Sequence, residues 1–232
     1  MLPTLPPTVV NGQHPYTSDE AQIDFLLYIP EDYGINPQHE WPLVLFLHGW
    51  SKGLKNINLI ANESLPKLLE TEAKLPFIVV SPHRDEGYFE YWYQDENVSP
   101  MFHLLEEIQK LYDVDPKRIY LIGESAGGNG VWEIGLQYPE RFAALVPVMG
   151  YYGYPFEVPD NICDLKDVPI WAFHGAKDEA VPLDAEQSLV DALETCGGDV
   201  QFTIFPDIGH DVDPQLIFTE ELVTWLLEQT LK

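Results

Sequence analysis

Two rhythms of apolar positions alternate along the 232-residue chain. Short continuous runs, rich in β-branched and aromatic residues and closed by Gly or Pro, predict strands buried on both sides. These are Ile23–Ile29, Leu43–Leu47, Phe77–Val80, Arg118–Ile122, Leu145–Met149, Ile170–Phe173 and Phe202–Phe205. Between them, apolar residues spaced by three and four predict helices over Ile57–Ala73, Pro100–Tyr112, Ala126–Tyr138, Asp184–Cys196 and Pro214–Leu231. Strands alternating with helices imply an α/β class, with a mostly parallel central sheet and helices on both faces. No repeat, low-complexity tract or linker interrupts the pattern, so residues 1–232 are expected to form a single domain. Only about twenty residues separate the strand at Leu145 from the one at Ile170, too few for a substantial helical cap. A minimal or absent cap would leave a site at the sheet edge open.

Composition narrows the class. With 45% hydrophobic and 22% charged residues the chain is neither disordered nor fibrous. Its longest apolar runs are far too short to span a bilayer, and the start MLPTLPPTVV lacks the basic and apolar regions of a signal peptide. A cytoplasmic location and no membrane partner are therefore expected. Cys163 and Cys196 show no metal-binding spacing; a single pair is not fixed as bonded or free by sequence, and unpaired thiols in a reducing compartment are the expectation. Acidic residues number 38 against 12 basic, a net charge of −26. That field repels nucleic acid and anionic surfaces and favours neutral or cationic small molecules. Salt-adapted proteins share this excess, although an acidic, soluble surface explains it equally well.

The chemistry concentrates in Gly123-Glu124-Ser125-Ala126-Gly127, a G-x-S-x-G pattern. The pattern alone is a modest signal, but here it follows the strand RIYLI and opens the helical stretch AGGNGVWEIGLQY. That is the strand–turn–helix setting of a nucleophile elbow, in which a strained serine needs small flanking residues. The alternative is a Gly-rich helix start with a capping serine.

A serine hydroxyl needs a base, and the base an acid to orient it, here in the chain order serine, acid, histidine. His210, in FPDIGHD after the last strand, is the expected base. His174, at the end of PIWAF, is expected to structure its turn instead. Asp178, in HGAKDEAVP, is the expected acid. Glu179 stands one residue out of register, and Asp207 and Asp211 flank the histidine too closely. The oxyanion hole is assigned to the amides of Trp50, after the strand PLVLFL, and of Ala126, with Gly49 permitting the backbone approach. His48 is expected to bond within its loop. Two aromatic loops, Gly87–Gln94 and Gly150–Phe156, are expected at the same edge. With Trp50, the rings of Tyr91, Trp92, Tyr93, Tyr151 and Tyr152 either line the cleft mouth or simply pack the loops.

Together LHGWSKG, GESAGGNGVWEIGLQYPERFAALVPVMG, IWAFHGAKDEAVP and FPDIGHD resemble the bacterial phospholipase/carboxylesterase and dienelactone-hydrolase-like esterases. Within that group they are similar to the small "predicted peptidase" and feruloyl-esterase-like branch. The resemblance runs from about Pro42 to the C-terminus. It implies the α/β-hydrolase fold and hydrolysis of carboxylic esters, with Ser125, Asp178 and His210 in the catalytic positions. Dienelactone hydrolases proper carry a cysteine nucleophile where this chain has Ser125, and the family often has methionine where Ala126 stands. The expected reaction is acyl transfer from short-chain or aryl esters through an acyl-enzyme, with no metal or cofactor. Feruloyl or acetyl-xylan esterase activity, peptidase activity and a non-catalytic binding role are the alternatives. Oligomeric state is not legible.

Overall fold

The computed structural model describes residues 4–5, 8–50, 56–71, 74–83 and 91–232. Eight strands form one sheet: β1 (Gly12–Ser18), β2 (Ile23–Ile29), β3 (Trp41–Leu47), β4 (Ile78–Pro82), β5 (Val114–Glu124), β6 (Ala144–Val148), β7 (Ile170–Gly175) and β8 (Val200–Phe205). Their order across the sheet is β1-β2-β4-β3-β5-β6-β7-β8. β2 runs antiparallel to both neighbours, and every pairing from β4 to β8 is parallel. From β3 the chain goes outward to β4, then returns to the other side of β3 as β5. This reversal opens a crevice at the carboxyl ends of β3 and β5, where open α/β sheets bind ligands.

The helices are α1 (Ile57–Ile60), α2 (Ser64–Thr71), α3 (Asp95–Leu111), α4 (Ala126–Gln137), α5 (Leu183–Thr195), α6 (Pro214–Ile217) and α7 (Glu220–Glu228). Side chains alternate across a strand, and β3, buried at every position, serves both sides. Leu43, Leu45 and Leu47 pack with Met101 and Leu105 of α3, Val131 of α4 and Leu189 of α5. Val44 and Phe46 pack with Leu65 and Leu69 of α2, Ile217 of α6 and Leu222 of α7. The sheet is thus covered on both faces, as the continuous apolar runs require.

Several elements depart from expectation. The span predicted as one helix from Ile57 divides into α1 and α2 because Ser64 takes a left-handed φ of 47°, and its expected end at Ala73 lies outside the described residues. The C-terminal span divides likewise, with Thr219 accepting from the Leu222 amide to start α7. α3 begins five residues before Pro100, its first turn carrying Asp95 and Glu96 as the helix dipole favours. β1, with the polar sequence GQHPYTS, was not expected at all; it is an edge strand, where Pro15 is tolerated.

The cysteine reading is also corrected. Cys163 and Cys196 are joined in a disulfide across 33 residues, their Cα atoms 5.6 Å apart, a usual spacing for such a bond. Cys163 sits in a 3₁₀ turn over Ile162–Leu165 and Cys196 caps the C-terminus of α5, elements that pack against each other. That 3₁₀ turn is the one helical element between β6 and β7 among the described residues, so no large cap stands over the sheet there.

Candidate active site

Ser125 stands between β5 and α4 with φ 54° and ψ −114°, outside the comfortable regions for a residue with a Cβ. Its amide is held by the Val148 carbonyl at 2.8 Å. The turn is this tight because α4 starts directly against two strands. A Cβ on Gly127 would collide with the Leu47 carbonyl, and one on Gly123 would lie 2.5 Å from the Gly127 oxygen. The register Leu47↔Gly123 aligns the ends of β3 and β5 at this place. The flanking glycines are therefore steric necessities. Gly49 is not, since a Cβ there would rest in ordinary contact, 3.5 Å from the Ser125 Cβ.

The Ser125 side chain makes no helix-capping bond; its Oγ lies 2.8 Å from His210 Nε2 instead. His210 arrives on the loop after β8. Its Nδ1 is 2.7 Å from Asp178 Oδ2. A carboxylate only accepts, so Nδ1 carries the proton and the Nε2 lone pair faces the serine hydroxyl. Asp178 follows β7 in a turn that its own Oδ1 closes, accepting the amides of Ala180 and Val181 at 2.9 Å each. The three residues lie 85 and 32 positions apart in sequence, and the strand ends bring them within hydrogen-bonding distance.

The competing residues have other partners or positions. Asp207 pairs with Lys177 at 2.7 Å and Glu179 is exposed. His174 is fully buried, with Nδ1 2.7 Å from Glu186 and Nε2 2.9 Å from the Val181 carbonyl. His48 is buried and donates from Nδ1 to the Gly49 carbonyl at 2.7 Å. Ala126 opens α4, so its amide has no acceptor within the helix, but Ala126 does not line the cavity over Ser125 and His210. Trp50 follows β3 and is 58% exposed.

A cavity of about 500 Å³ opens over Ser125 and His210. Trp50 lines it, as expected. The other aromatic candidates do not. Trp92 is fully buried, donating from Nε1 to the His48 carbonyl at 3.0 Å and packing edge-on against that ring. A Cβ on Gly130 would meet its side chain at 2.7 Å. Tyr91 and Tyr93 stack on one another, Tyr151 packs on Phe156, and Tyr152 packs against the core under α4. None of these four lines the cavity. Gly87–Glu90, the first half of that aromatic loop, lies outside the described residues, as does Ser51–Gly53 after Trp50.

In their place the cavity wall carries carboxylates that were not expected as its lining: Glu63, Glu124 and Asp211, the last weighed only as an acid for the histidine, with Ser64, Met149 and Val212. Burial pushes the Glu124 carboxyl up to about 7, against the bond it accepts from Ser64 Oγ at 2.5 Å; Glu63 and Asp211 add repulsion, and His210 opposes them. No Lys or Arg stands among the lining residues described. The one signal in the sequence was position: Glu124 is the residue before the nucleophile. Among the described residues, no group of three or more His, Cys, Asp or Glu side chains is placed to hold a metal ion. No helix among them is long and apolar enough to cross a membrane.

Comparison with known proteins places this geometry in context. Residues 92–220, more than half of the chain, match the sequence profile of a family described as Phospholipase/Carboxylesterase. A dipeptidyl-peptidase 5 of Porphyromonas gingivalis is 24% identical over 97% of this chain and 39% of its own length. A probable carboxylesterase, SOBER1-like, of Arabidopsis thaliana is 25% identical over 50% of this chain and 44% of its own. The chain therefore spans less than half the length of either relative. A solved thermostable esterase superposes with a TM-score of 0.68 at 26% identity, over 94% of this chain and 62% of that one. The architecture is the α/β-hydrolase fold.

Proposed function

This chain belongs to the phospholipase/carboxylesterase family, and we propose that it is a serine carboxylesterase acting on short-chain or aryl esters. The observation that carries the reading is the unbroken contact from Ser125 Oγ through the His210 ring to the Asp178 carboxylate. In the proposed reaction Ser125 attacks the ester carbonyl as His210 Nε2 takes its proton, and Asp178 stabilises the imidazolium that forms. The amides of Ala126 and Trp50 receive the oxyanion, and removal of one such donor costs about 3 kcal/mol in comparable enzymes. His210 then protonates the departing alcohol, and water repeats the cycle on the acyl-enzyme.

Two features support the substrate class. The cavity holds about 500 Å³, room for a short acyl chain or one aromatic ring rather than a long lipid tail. Its carboxylates favour neutral or cationic esters over anionic ones. The disulfide favours an oxidising compartment over the cytoplasm expected from the N-terminal residues. A second reading, cleavage of aminoacyl amides, is favoured by the likeness to a dipeptidyl-peptidase.

The test is a panel of p-nitrophenyl esters of increasing chain length, methyl ferulate and aminoacyl anilides, each with wild type and Ser125→Ala. Rapid hydrolysis of acetate and butyrate by wild type alone is expected. Preference for anilides would replace the first reading with the second. Equal rates from both proteins would remove Ser125 from the chemistry.

A further inference from the structure

Next to Asp178 lies a pair of ionisable groups that the proposed reaction does not use. His174, the penultimate residue of β7, and Glu186, in the first turn of α5, have no solvent-exposed side-chain surface. Everything facing the imidazole accepts hydrogen bonds. Glu186 Oε2 lies 2.7 Å from Nδ1, the Val181 carbonyl 2.9 Å from Nε2, and Asp178 Oδ2 3.5 Å from the same Nε2. The Trp132 indole at 3.1 Å and the Gly150 amide donate to Glu186. The Val181 carbonyl fixes a proton on Nε2, and a second proton lies between Nδ1 and Glu186 Oε2; held on the ring, it makes an imidazolium against an ionised carboxylate. Burial works against both charges and raises the Glu186 carboxyl, with His174 opposing that rise, while the bond and field of Glu186, helped by Val181 and Asp178, hold the His174 pKa above the ordinary histidine value.

The placement is selective. Glu186 ties α5 to Trp132 on the helix that starts at Ser125 and to Gly150 just beyond β6, where a Cβ would lie 2.7 Å from its Oε1. His174 holds the Val181 carbonyl, and the Val181 amide in turn binds Asp178 Oδ1. One oxygen, Asp178 Oδ2, lies 2.7 Å from His210 Nδ1 and 3.5 Å from His174 Nε2. The two rings therefore stand about 6 Å apart at most across it.

We propose that His174 is kept as an imidazolium by Glu186 and acts as a positioning residue for Asp178, holding its turn through Val181 and setting a charge beside the carboxylate that meets His210. The inference rests on the proposed roles of Ser125, His210 and Asp178. The other charged groups facing His210 are Glu124 and Asp211, on the cavity side, and they remain unchanged in the variants below. At this separation, loss of the His174 charge should raise the acid limb of the kcat/KM profile by about one pH unit.

Two measurements decide the matter. In wild type, ¹⁵N NMR of the histidine rings should show both His174 nitrogens protonated at pH 7; a neutral His174 ring would overturn the proposal. This arm needs neither turnover nor a variant. In Glu186→Gln and His174→Gln, the acid limb for p-nitrophenyl acetate hydrolysis should move upward with KM little changed. A fall in kcat with the limb unmoved would show a purely structural role and would also overturn it. If either variant fails to fold, the other variant and the wild-type spectrum still decide. Absence of esterase activity in wild type would sink the functional reading instead, leaving the NMR result to stand on its own.

Discussion

The indole Nε1 of Trp92 donates to the carbonyl of His48 at 3.0 Å, fastening the segment before α3 to the end of the chain leaving β3. The next two residues, Gly49 and Trp50, border the nucleophile, so this bond secures one wall of the cavity from behind. Trp92→Phe keeps an aromatic ring and removes the donor, so the bond to the buried His48 carbonyl is lost. Urea unfolding should show a loss of about 1–3 kcal/mol. KM for p-nitrophenyl butyrate should stay within roughly twofold, because Trp92 does not line the cavity. A large rise in KM at unchanged stability would place Trp92 in the substrate's path after all.

Asp178→Asn should preserve the turn, since an amide oxygen can still accept from Ala180 and Val181. The amide NH₂ would then face His210 Nδ1 and favour the tautomer whose Nε2 carries the proton, pointing the wrong way for Ser125. Steady-state kinetics on p-nitrophenyl acetate should record a fall in kcat of about 10⁴-fold. A loss of less than tenfold would assign the acid's role elsewhere.

Glu124 makes stability depend on pH in a defined direction. Its carboxyl rises from an ordinary 4.5 to about 7 on folding. The folded chain therefore binds that proton more tightly than the unfolded one. Its contribution is full below about 4.5 and is lost as pH rises through about 7. Glu124→Gln keeps an acceptor for Ser64 without the titration. Denaturation at pH 5 and pH 8.5 should find the variant gaining on wild type at the higher pH, by at most about 3 kcal/mol. An equal difference at both values would show that the carboxyl titrates as in water.

The Cys163–Cys196 bond closes a loop of 33 residues. On the chain-entropy account, a cross-link of that span stabilises the fold by about 3–4 kcal/mol. The double variant Cys163→Ser/Cys196→Ser should lower the urea midpoint accordingly and leave KM unchanged, because neither residue borders the cavity. A free-thiol assay on unreduced protein gives the direct check: two reactive thiols per chain after unfolding would remove the bond from the description.

What the sequence made legible divides along physical lines. The central strands were readable because burial on both faces leaves unbroken apolar runs such as Leu43–Leu47. That Ser125, Asp178 and His210 come together was readable because each follows one of those runs at the same edge. β1 was not, since an edge strand needs neither apolar continuity nor freedom from proline. The start of α3 was misplaced because Pro100 reads as a first-turn residue, although it lies inside the helix. The aromatic loops could not be sorted by composition: the same rings serve a cleft or a core, and only Gly130, which leaves space beside it for Trp92, records which. The cysteine pair was hidden for a related reason, because the contact between its two short elements is made by the tertiary fold alone.

Ser125 holds a left-handed backbone that glycine would accept without strain, and a residue with a Cβ keeps such a conformation at a cost of about 1–3 kcal/mol. Durability and reactivity are therefore opposed at this one position. Glycine here would relieve that strain and discard the hydroxyl that lies 2.8 Å from His210 Nε2. A serine in so unfavourable a posture is what the proposed nucleophile requires, reactivity there being set against how well the chain endures.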